Sequence, residues 1–242
     1  MNELRGNFLR VEERIVAACR AAGRARSSVQ LMAVSKTCPA ETLAEAAALG
    51  LHLFGENRVQ EFQEKSPRAV ELWTACGAKP VVHLIGHLQS NKAARAVELF
   101  DAVDSLDSLR LALRLEEAAA KLEKQLPVLL EIKLSDEETK AGLDPASEEA
   151  AQLLEQLPDF KHLHLRGLMT IAPLGVGPEK TRACFRALRE LRDRWARAYP
   201  RLDFGVLSMG MSGDFPLAIA EGATRIRVGS ALFGARSYAE SN

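Results

Sequence analysis

The first strand-to-helix unit of this sequence reads VQLMAVSKTCPAETLAEAAALG, residues 29–50. Its opening six residues form a short apolar run with the length and character of a buried strand. Pro39 then opens a helix that ends near Leu49. The turn between the two elements contains no glycine, so the GxGxxG pattern of a dinucleotide-binding sheet is absent. The unit indicates a parallel sheet in which polar residues, here Ser35 and Lys36, follow directly after the strand.

The same unit repeats along the rest of the chain. Seven further strands are predicted at residues 51–54, 81–85, 100–103, 128–132, 162–169, 204–207 and 225–228. Helices are predicted at residues 107–124, 147–156, 178–199 and 215–222, and an amphipathic helix over residues 2–22 precedes the first unit. Eight alternations in 242 residues favour a closed (β/α)8 TIM barrel over a doubly wound sheet. The N-terminal helix is then expected on the outside or bottom of the barrel.

Composition and charge narrow the function classes. Hydrophobic residues make up 47% of the chain and charged residues 26%, a balance that excludes a mainly disordered protein. The 32 Lys and Arg residues are balanced by 32 Asp and Glu residues, and only 5% of residues are aromatic, so nucleic acid is not an expected partner. No linker or shift in composition divides the chain. We expect one domain over residues 1–242, with its helix at residues 1–22 and a polar tail at residues 236–242.

The cysteines and the N-terminus bear on location. Cys19, Cys38, Cys76 and Cys184 lack CxxC spacing, so neither a zinc site nor a disulfide framework is predicted. The first five residues carry charges where a signal peptide needs an apolar core, and no apolar run approaches the ~18 residues of a membrane span. We therefore expect a cytoplasmic protein without a membrane partner.

Active sites of such barrels lie at the carboxyl ends of the strands. The polar residues that follow the predicted strands are Lys36, Asn57, residues 87–91, Asp104, Lys133, Thr170, residues 208–212 and residues 227–230. A partly buried lysine at a barrel mouth can become nucleophilic toward carbonyl groups, which makes Lys36 a Schiff-base candidate. Most loop lysines are instead solvated surface charges, so Lys36 alone leaves both interpretations open.

The eighth unit supplies the missing context. It reads TRIRVGSALFG, residues 224–234. Alternation along its strand places Arg225 and Arg227 inside the barrel, and Ile226 and Val228 against the surrounding helices. A buried guanidinium needs an acceptor, which an anion or a ring nitrogen would provide. The glycine and serine after the strand begin a helix, whose unpaired amides and dipole favour a phosphate.

Phosphate sites in these barrels are often built after strands seven and eight. Strand seven ends in LSMGMSG, where Ser212 either joins Gly229 and Ser230 in a phosphate cradle or caps the next helix. With Lys36 for an aldehyde and Arg227 for a ring nitrogen, the cradle describes a site for pyridoxal 5′-phosphate (PLP). Because arginine stays protonated, it would leave the ring nitrogen unprotonated and the ring a weak electron sink.

Several segments now carry a resemblance to a known family. They are VSK (34–36), FGENRVQE (54–61), HLIGHLQSNK (83–92), RGLMTI (166–171), residues 207–212 and residues 226–234. On these segments the chain resembles the pyridoxal phosphate homeostasis protein family, which is similar to the N-terminal barrel domain of alanine racemase, PLP fold type III. The resemblance implies that Lys36 is the Schiff-base lysine and that Arg227 contacts the pyridine nitrogen. It implies phosphate ligands at Ser212, Gly229 and Ser230, and cofactor-lining residues at Asn57, Met169 and Ser208.

Some residues also fit a purely structural role. Asn57 could cap a helix, and Met169 could be core packing. The histidines of the predicted strands, His83, His162 and His164, are interpreted as satisfied barrel residues, and no metal site is predicted. The chain departs from the family pattern at Val82, Cys38 and His87. The roles of Cys38, His87 and Lys92 are left open.

Racemisation through PLP generally needs an acid/base group on each face of the substrate, and one lysine supplies only one. In alanine racemase the second group is a tyrosine from a separate domain of the partner subunit, whereas the tyrosines here are Tyr199 and Tyr238. We expect a PLP-binding homeostasis protein that influences amino-acid and keto-acid pools without robust catalysis. It would act as a monomer and could serve PLP-requiring apo-enzymes. The alternatives are a single-domain amino-acid racemase and a cofactor-free Schiff-base aldolase acting on a sugar phosphate.

Overall fold

The computed structural model describes residues 3–134, 141–173 and 175–234. Its strands are β1 (Gln30–Val34), β2 (Leu53–Glu56), β3 (Val81–Leu84), β4 (Ala102–Leu106), β5 (Leu126–Glu131), β6 (Leu163–Met169), β7 (Val206–Ser208) and β8 (Arg225–Val228). Its helices are α1 (Glu3–Ala21), α2 (Ala40–Ala48), α3 (Val59–Ala75), α4 (Ala93–Leu99), α5 (Leu109–Lys121), α6 (Glu148–Gln156), α7 (Pro178–Ala198), α8 (Phe215–Ala220) and α9 (Ser230–Phe233). The predicted tail at residues 236–242, with Tyr238, lies outside the described residues.

The eight strands form a closed parallel barrel in the order β1 to β8. Closure comes from β1 and β8, which pair in parallel from Gln30 opposite Arg225 to Ala33 opposite Val228. The predicted TIM barrel is therefore confirmed. Because all strands run the same way, the residues that follow each of them meet at one end of the barrel.

Two strands extend further than predicted because their polar residues find buried partners. Strand β2 continues to Glu56, whose carboxylate accepts a hydrogen bond from the Ser35 hydroxyl. Strand β4 continues through Asp104 and Ser105, and the Ser105 hydroxyl donates to the Gly86 carbonyl at 2.7 Å. A sequence pattern ends a strand at its first polar residues, whereas the fold gives these residues hydrogen-bond partners from neighbouring segments.

The apolar side chains separate into two regions. Most lie between the barrel and the helices, where Phe54 of β2 packs on Trp73 of α3 with ring centroids 5.9 Å apart. A smaller cluster of Met32, Leu53 and Ile85 is separate from that core. Alternation along β1 places Met32 on the inner face, in register with Arg227 of β8. The barrel interior is thus apolar on one side and polar on the other.

Helix α1 packs on the outside of the barrel, against α8 and α9. The Asn7 side chain of α1 is buried and donates to the Leu232 carbonyl of α9 at 2.8 Å. The Arg24 guanidinium, just after α1, donates to the Ile219 carbonyl of α8 at 2.8 Å. Among the helices of the described residues, none has the length and apolar character that crossing a membrane requires.

Candidate functional site

The carboxyl ends of the strands surround a cavity of about 540 Å³. Six residues assigned to the cofactor from the sequence line it: Lys36, Asn57, Ser212, Arg227, Gly229 and Ser230. The rest of the wall consists of Val34, Thr37, Cys38, Pro39, Thr42, Ile85, Ile171, Met211, Gly213, Phe233 and Gly234. Residues from the ends of six strands thus meet in one site of a size that holds a small organic ligand.

Lys36 lies two residues after β1 and is half-buried in the cavity wall. The turn that carries it is tight. Thr37 has a φ of 66°, in the left-handed region that few non-glycine residues adopt, and the Cys38 amide donates to the Ser35 carbonyl at 3.0 Å. A residue held in such a conformation needs support from its surroundings.

That support comes from Lys65 of α3, which sequence analysis did not single out. Its ammonium donates to the main-chain carbonyls of Ser35 at 3.0 Å and Cys38 at 3.2 Å, on either side of Lys36. It also donates to the Glu61 carboxylate at 2.9 Å. Lys65 therefore fixes the main chain of this turn, and these contacts do not involve the Lys36 side chain.

Glu56, at the end of β2, completes this support. Its carboxyl is fully buried, lies 2.9 Å from the Lys65 ammonium and accepts from the Ser35 hydroxyl at 2.5 Å. Burial raises the pKa of the Glu56 carboxyl, while Lys65 and Ser35 oppose that rise. The sequence signal for this residue is an acid directly after the apolar run of the second strand.

The loop after β7 and the start of α9 converge on one oxygen. The Ser212 hydroxyl accepts hydrogen bonds from the amides of Gly229 and Ala231, each at 3.3 Å. The alternative in which Ser212 caps α8 is wrong, because Asp214 occupies the position before that helix. The main-chain amides at the start of α9 therefore point toward the site, in the manner that an anionic oxygen requires.

Gly229 allows this approach because it packs on the end of β1. A Cβ atom at this position would lie 3.2 Å from the Val34 carbonyl oxygen. That contact is tighter than ordinary van der Waals packing, so a larger residue would push the loop away from β1. The absence of a side chain at Gly229 brings the amides of α9 close to the turn that carries Lys36.

Arg227 of β8 is buried in the cavity wall, at 4% exposure. Its guanidinium donates to the Ser208 carbonyl at 2.7 Å, to the Ser208 hydroxyl at 2.9 Å and to the Thr170 carbonyl at 2.9 Å. Burial lowers the pKa of the guanidinium, while the carboxyl groups of Asp104 and Glu131 oppose that change. The three hydrogen bonds orient the Arg227 side chain, which stays charged because a guanidinium does not lose its proton in proteins.

Arg225, two residues earlier, has a different environment. It also points inward, as predicted, but its guanidinium donates to the Asp104 carboxylate at 3.0 Å and to Gln30 at 3.0 Å. Burial alone would raise the pKa of Asp104, but His83 and Arg225 outweigh it and hold that pKa below its usual value. The charge of Arg225 is thus balanced by Asp104, whereas Arg227 lies in the wall of the cavity.

Two predicted lining residues lie behind the cavity wall. Met169 and Ser208 are both fully buried, at the ends of β6 and β7, and neither lines the cavity. Ser208 acts by holding Arg227. Met169 is in register with Glu131 of β5. The prediction of direct cofactor contact for both residues therefore stays a prediction.

The residues left open have ordinary environments. Cys38 is half-buried, and burial raises the pKa of its thiol to about 11, which keeps it protonated at neutral pH. His87 is exposed, with its Nδ1 atom 2.9 Å from the Asp107 carboxylate. Lys92 lies in a short 3₁₀ turn before α4. None of these environments indicates a redox or nucleophilic role.

The strand histidines bind acids or amides of the protein. The His83 ring nitrogen lies 2.9 Å from Asp104, and the His162 ring nitrogen lies 3.0 Å from Glu116. His164 pairs with Gln125. Within the described parts of the chain, no group of three or more His, Cys, Asp or Glu residues is arranged to hold a metal ion.

Comparison with known proteins places the chain among close relatives. The family model described as "Alanine racemase, N-terminal domain" matches residues 12–237. A relative from Aquifex aeolicus, named "Pyridoxal phosphate homeostasis protein", is 41% identical over 95% of this chain and 96% of its own length. A relative of the same name from Vibrio cholerae is 40% identical over the whole of both chains.

Solved structures show the same barrel. PipY of Synechococcus elongatus, solved with PLP bound, is 44% identical with a TM-score of 0.81, over 93% of this chain and all of that one. An alanine racemase of Clostridium difficile is 16% identical with a TM-score of 0.73, over 99% of this chain and 58% of that one. At that identity the second comparison concerns the fold alone.

Proposed function

Because this chain belongs to the pyridoxal phosphate homeostasis protein family, we propose that it binds PLP through Lys36 and serves PLP homeostasis rather than substrate turnover. The observation that carries the proposal is that Lys36 and the amides at the start of α9 belong to the same cavity. The two ends of PLP, an aldehyde and a phosphate, need a nucleophilic amine and an anion cradle.

The phosphate fits the cradle. The amides of Gly229 and Ala231 already point at one oxygen, that of Ser212, and a phosphate oxygen has the same hydrogen-bonding requirement. Ser212 and Ser230 add hydroxyl donors in the same wall. The cradle is built from main-chain groups, which explains how a chain with no net charge could bind a phosphorylated cofactor.

Arg227 is assigned to the ring nitrogen. Bound PLP would supply a conjugated ring that withdraws electrons from the carbon bonded to Lys36. The Arg227 guanidinium, held by Ser208 and Thr170, would donate a hydrogen bond to the nitrogen and would give up no proton to it. An unprotonated ring nitrogen withdraws electrons weakly, which favours storage of the cofactor over catalysis.

The cavity also offers little acid/base chemistry. None of the described residues that line it is a tyrosine, and Tyr199 lies at the end of α7. Tyr238 lies outside the described residues. A racemase mechanism would require a second proton-transferring group opposite Lys36. We therefore assign the chain no robust catalytic activity.

We further propose that the chain delivers PLP to PLP-requiring apo-enzymes and acts as a cytoplasmic monomer of one domain. All four cysteines are thiols, as a reducing compartment requires. Large exposed apolar side chains of the described residues are spread over α1, α3, β3, α5 and the segments that follow α5 and β6. A molecular mass of a dimer in light scattering would contradict the monomer.

The proposal is tested by the absorbance spectrum of purified protein, followed by borohydride reduction and peptide mapping. We expect a yellow protein whose reduced cofactor is attached to the peptide containing Lys36. Lys36→Ala should lose the colour. The control is Lys92→Ala, which removes a lysine from the segment after β3, and this variant should keep the colour. Colourless protein that binds no added PLP would overturn the proposal and favour the aldolase. Interconversion of amino-acid enantiomers in a chiral assay would favour the racemase.

A further inference from the structure

A second cavity of about 280 Å³, the side chamber, adjoins the first. It is bounded by the ends of β3, β5 and β6, and its apolar wall includes Ile85, Ile132 and Ile171. The two cavities share Asn57, Ile85 and Ile171. A molecule in the side chamber would therefore lie next to the cavity that contains Lys36.

Glu131, the last residue of β5, lies in the wall of the side chamber. The residue is 5% exposed, and among the described residues its buried Oε2 atom has no hydrogen-bond partner. A buried carboxyl oxygen without a donor is costly, and native proteins usually satisfy such atoms. The wall of the chamber therefore includes a buried carboxyl group that these residues leave incompletely hydrogen-bonded.

Among the described residues, the charged groups around Glu131 do not supply that donor. Asp107, after β4, is an acid like Glu131 and is paired with His87 at 2.9 Å. The Arg227 guanidinium of β8 donates to Ser208 and Thr170, as described above. Lys133 lines the same chamber, yet Oε2 has no partner. Burial first, and Asp107 second, raise the pKa of Glu131 to about 7, while Arg227 and His87 oppose the rise.

We propose that the side chamber is a subsite for a small primary ammonium compound. Its N–H groups would donate to the Glu131 carboxyl group, and its short aliphatic part would pack on Ile132 and Ile171. Binding of the ammonium compound does not require PLP. Only the use of the subsite, and not the binding itself, rests on the proposed function. It can therefore be tested on cofactor-free protein, and its failure would leave PLP binding by Lys36 untouched.

Proton release distinguishes this subsite from a merely apolar pocket. In the empty chamber at about pH 6, Glu131 is mostly the neutral acid. An ammonium ion bound at the Glu131 carboxyl group favours the carboxylate, so the Glu131 proton leaves to solvent as the ligand binds. The ligand brings its positive charge and the protein loses one proton, which keeps the charge in the chamber balanced.

The experiment is calorimetric titration of cofactor-free protein at about pH 6, in two buffers of different ionisation enthalpy. The probes are propylammonium chloride, propan-1-ol and L-alanine. We expect propylammonium to bind with release of close to one proton and propan-1-ol not to bind. Binding of L-alanine with the same release identifies amino acids as the source, and its failure to bind restricts the site to simple amines. Absence of propylammonium binding overturns the proposal.

Variants assign the effect to Glu131. Glu131→Gln matches the neutral acid in shape, so the fold is retained, and we expect at least tenfold weaker propylammonium binding without proton release. Glu131→Asp keeps a carboxyl and should retain the release. The control is Glu116→Gln, whose carboxylate contacts His162 at the start of β6 and should leave binding unchanged. Equal affinity and equal proton release in Glu131→Gln and the parent would contradict the subsite.

Discussion

At the scale of a single residue, Glu131 makes the stability of the cofactor-free protein depend on pH. Its pKa is about 7 in the folded barrel and near 4.5 for an ordinary glutamate. The folded state therefore binds the proton more tightly than the unfolded state does. The stabilisation is complete below about pH 4.5 and is lost as the pH rises through about 7.

We predict that the free energy of unfolding of the parent protein falls by roughly 2 to 3 kcal/mol, relative to that of Glu131→Gln, between pH 5 and pH 8. The glutamine variant cannot ionise at this position, so the difference isolates one residue from the other titrating groups. Urea unfolding of both proteins at the two pH values measures it. A difference that stays constant with pH would show that Glu131 has an ordinary pKa in the folded state.

At the scale of an element, the four-residue helix α9 depends on its neighbours. An isolated helix of this length is not stable in water. Strand β8 leads directly into it, Ser212 meets its first amides, and Asn7 of α1 donates to the Leu232 carbonyl near its end. The position of the proposed phosphate cradle therefore depends on β8, on the loop after β7 and on α1.

We predict that Gly229→Val weakens retention of PLP at least about tenfold, equivalent to ~1.4 kcal/mol. The new side chain would collide with the Val34 carbonyl and displace the amides of the cradle. Pyridoxal, which lacks the phosphate, should still form a borohydride-reducible product with Lys36. Equilibrium dialysis and reduction measure the two effects. Gly177→Ala, where a Cβ atom meets nothing within 4 Å, is the control, and equal loss of PLP and pyridoxal would argue against the phosphate assignment.

At the scale of the whole molecule, closure of the barrel depends on close contact between β6 and β7. Gly167 of β6 pairs with Val206 of β7 and has a φ of 151°. A Cβ atom at Gly167 would lie 1.9 Å from the Val206 carbonyl oxygen, which is too close for any residue other than glycine. The backbone conformation and the close approach both require glycine.

We predict that Gly167→Ala destabilises the protein by at least about 3 kcal/mol, because it combines backbone strain with overpacking between two strands. Thermal unfolding followed by circular dichroism should show a large decrease in the midpoint, or no cooperative transition. Gly177→Ala serves again as the control outside the barrel. An unchanged midpoint in Gly167→Ala would mean that β6 and β7 can separate without loss of the fold.

Local patterns were sufficient for the fold and for part of the site. Alternating apolar runs and helices predicted the eight-stranded barrel, because the strand and helix periods are properties of consecutive residues. Lys36, Gly229 and Ser230 were predicted to lie at the cavity because active-site residues of barrels follow directly after strands. Arg227 was predicted there because alternation along a strand decides which side chains point inward, and all four residues line the cavity.

Other features depended on contacts between distant segments. Ser212 was compatible with capping α8 until the position of α9 showed that its hydroxyl meets the amides of Gly229 and Ala231. Lys65 and Glu56 look like ordinary helix and strand-end charges in the sequence, yet together they hold the turn of Lys36. Hydrogen bonds of this kind join residues from different strand-helix units, so no local pattern reports them.

The sequence by itself determined the class of fold, the order of its elements and the residues proposed to bind an aldehyde and a phosphate. Only the tertiary structure decided that Glu131 lies at a cavity next to the one that contains Lys36, with a buried oxygen that has no donor among the described residues. The physical reason is that secondary structure follows from neighbouring residues. Burial and electrostatic environment instead arise where barrel closure brings distant strand ends together.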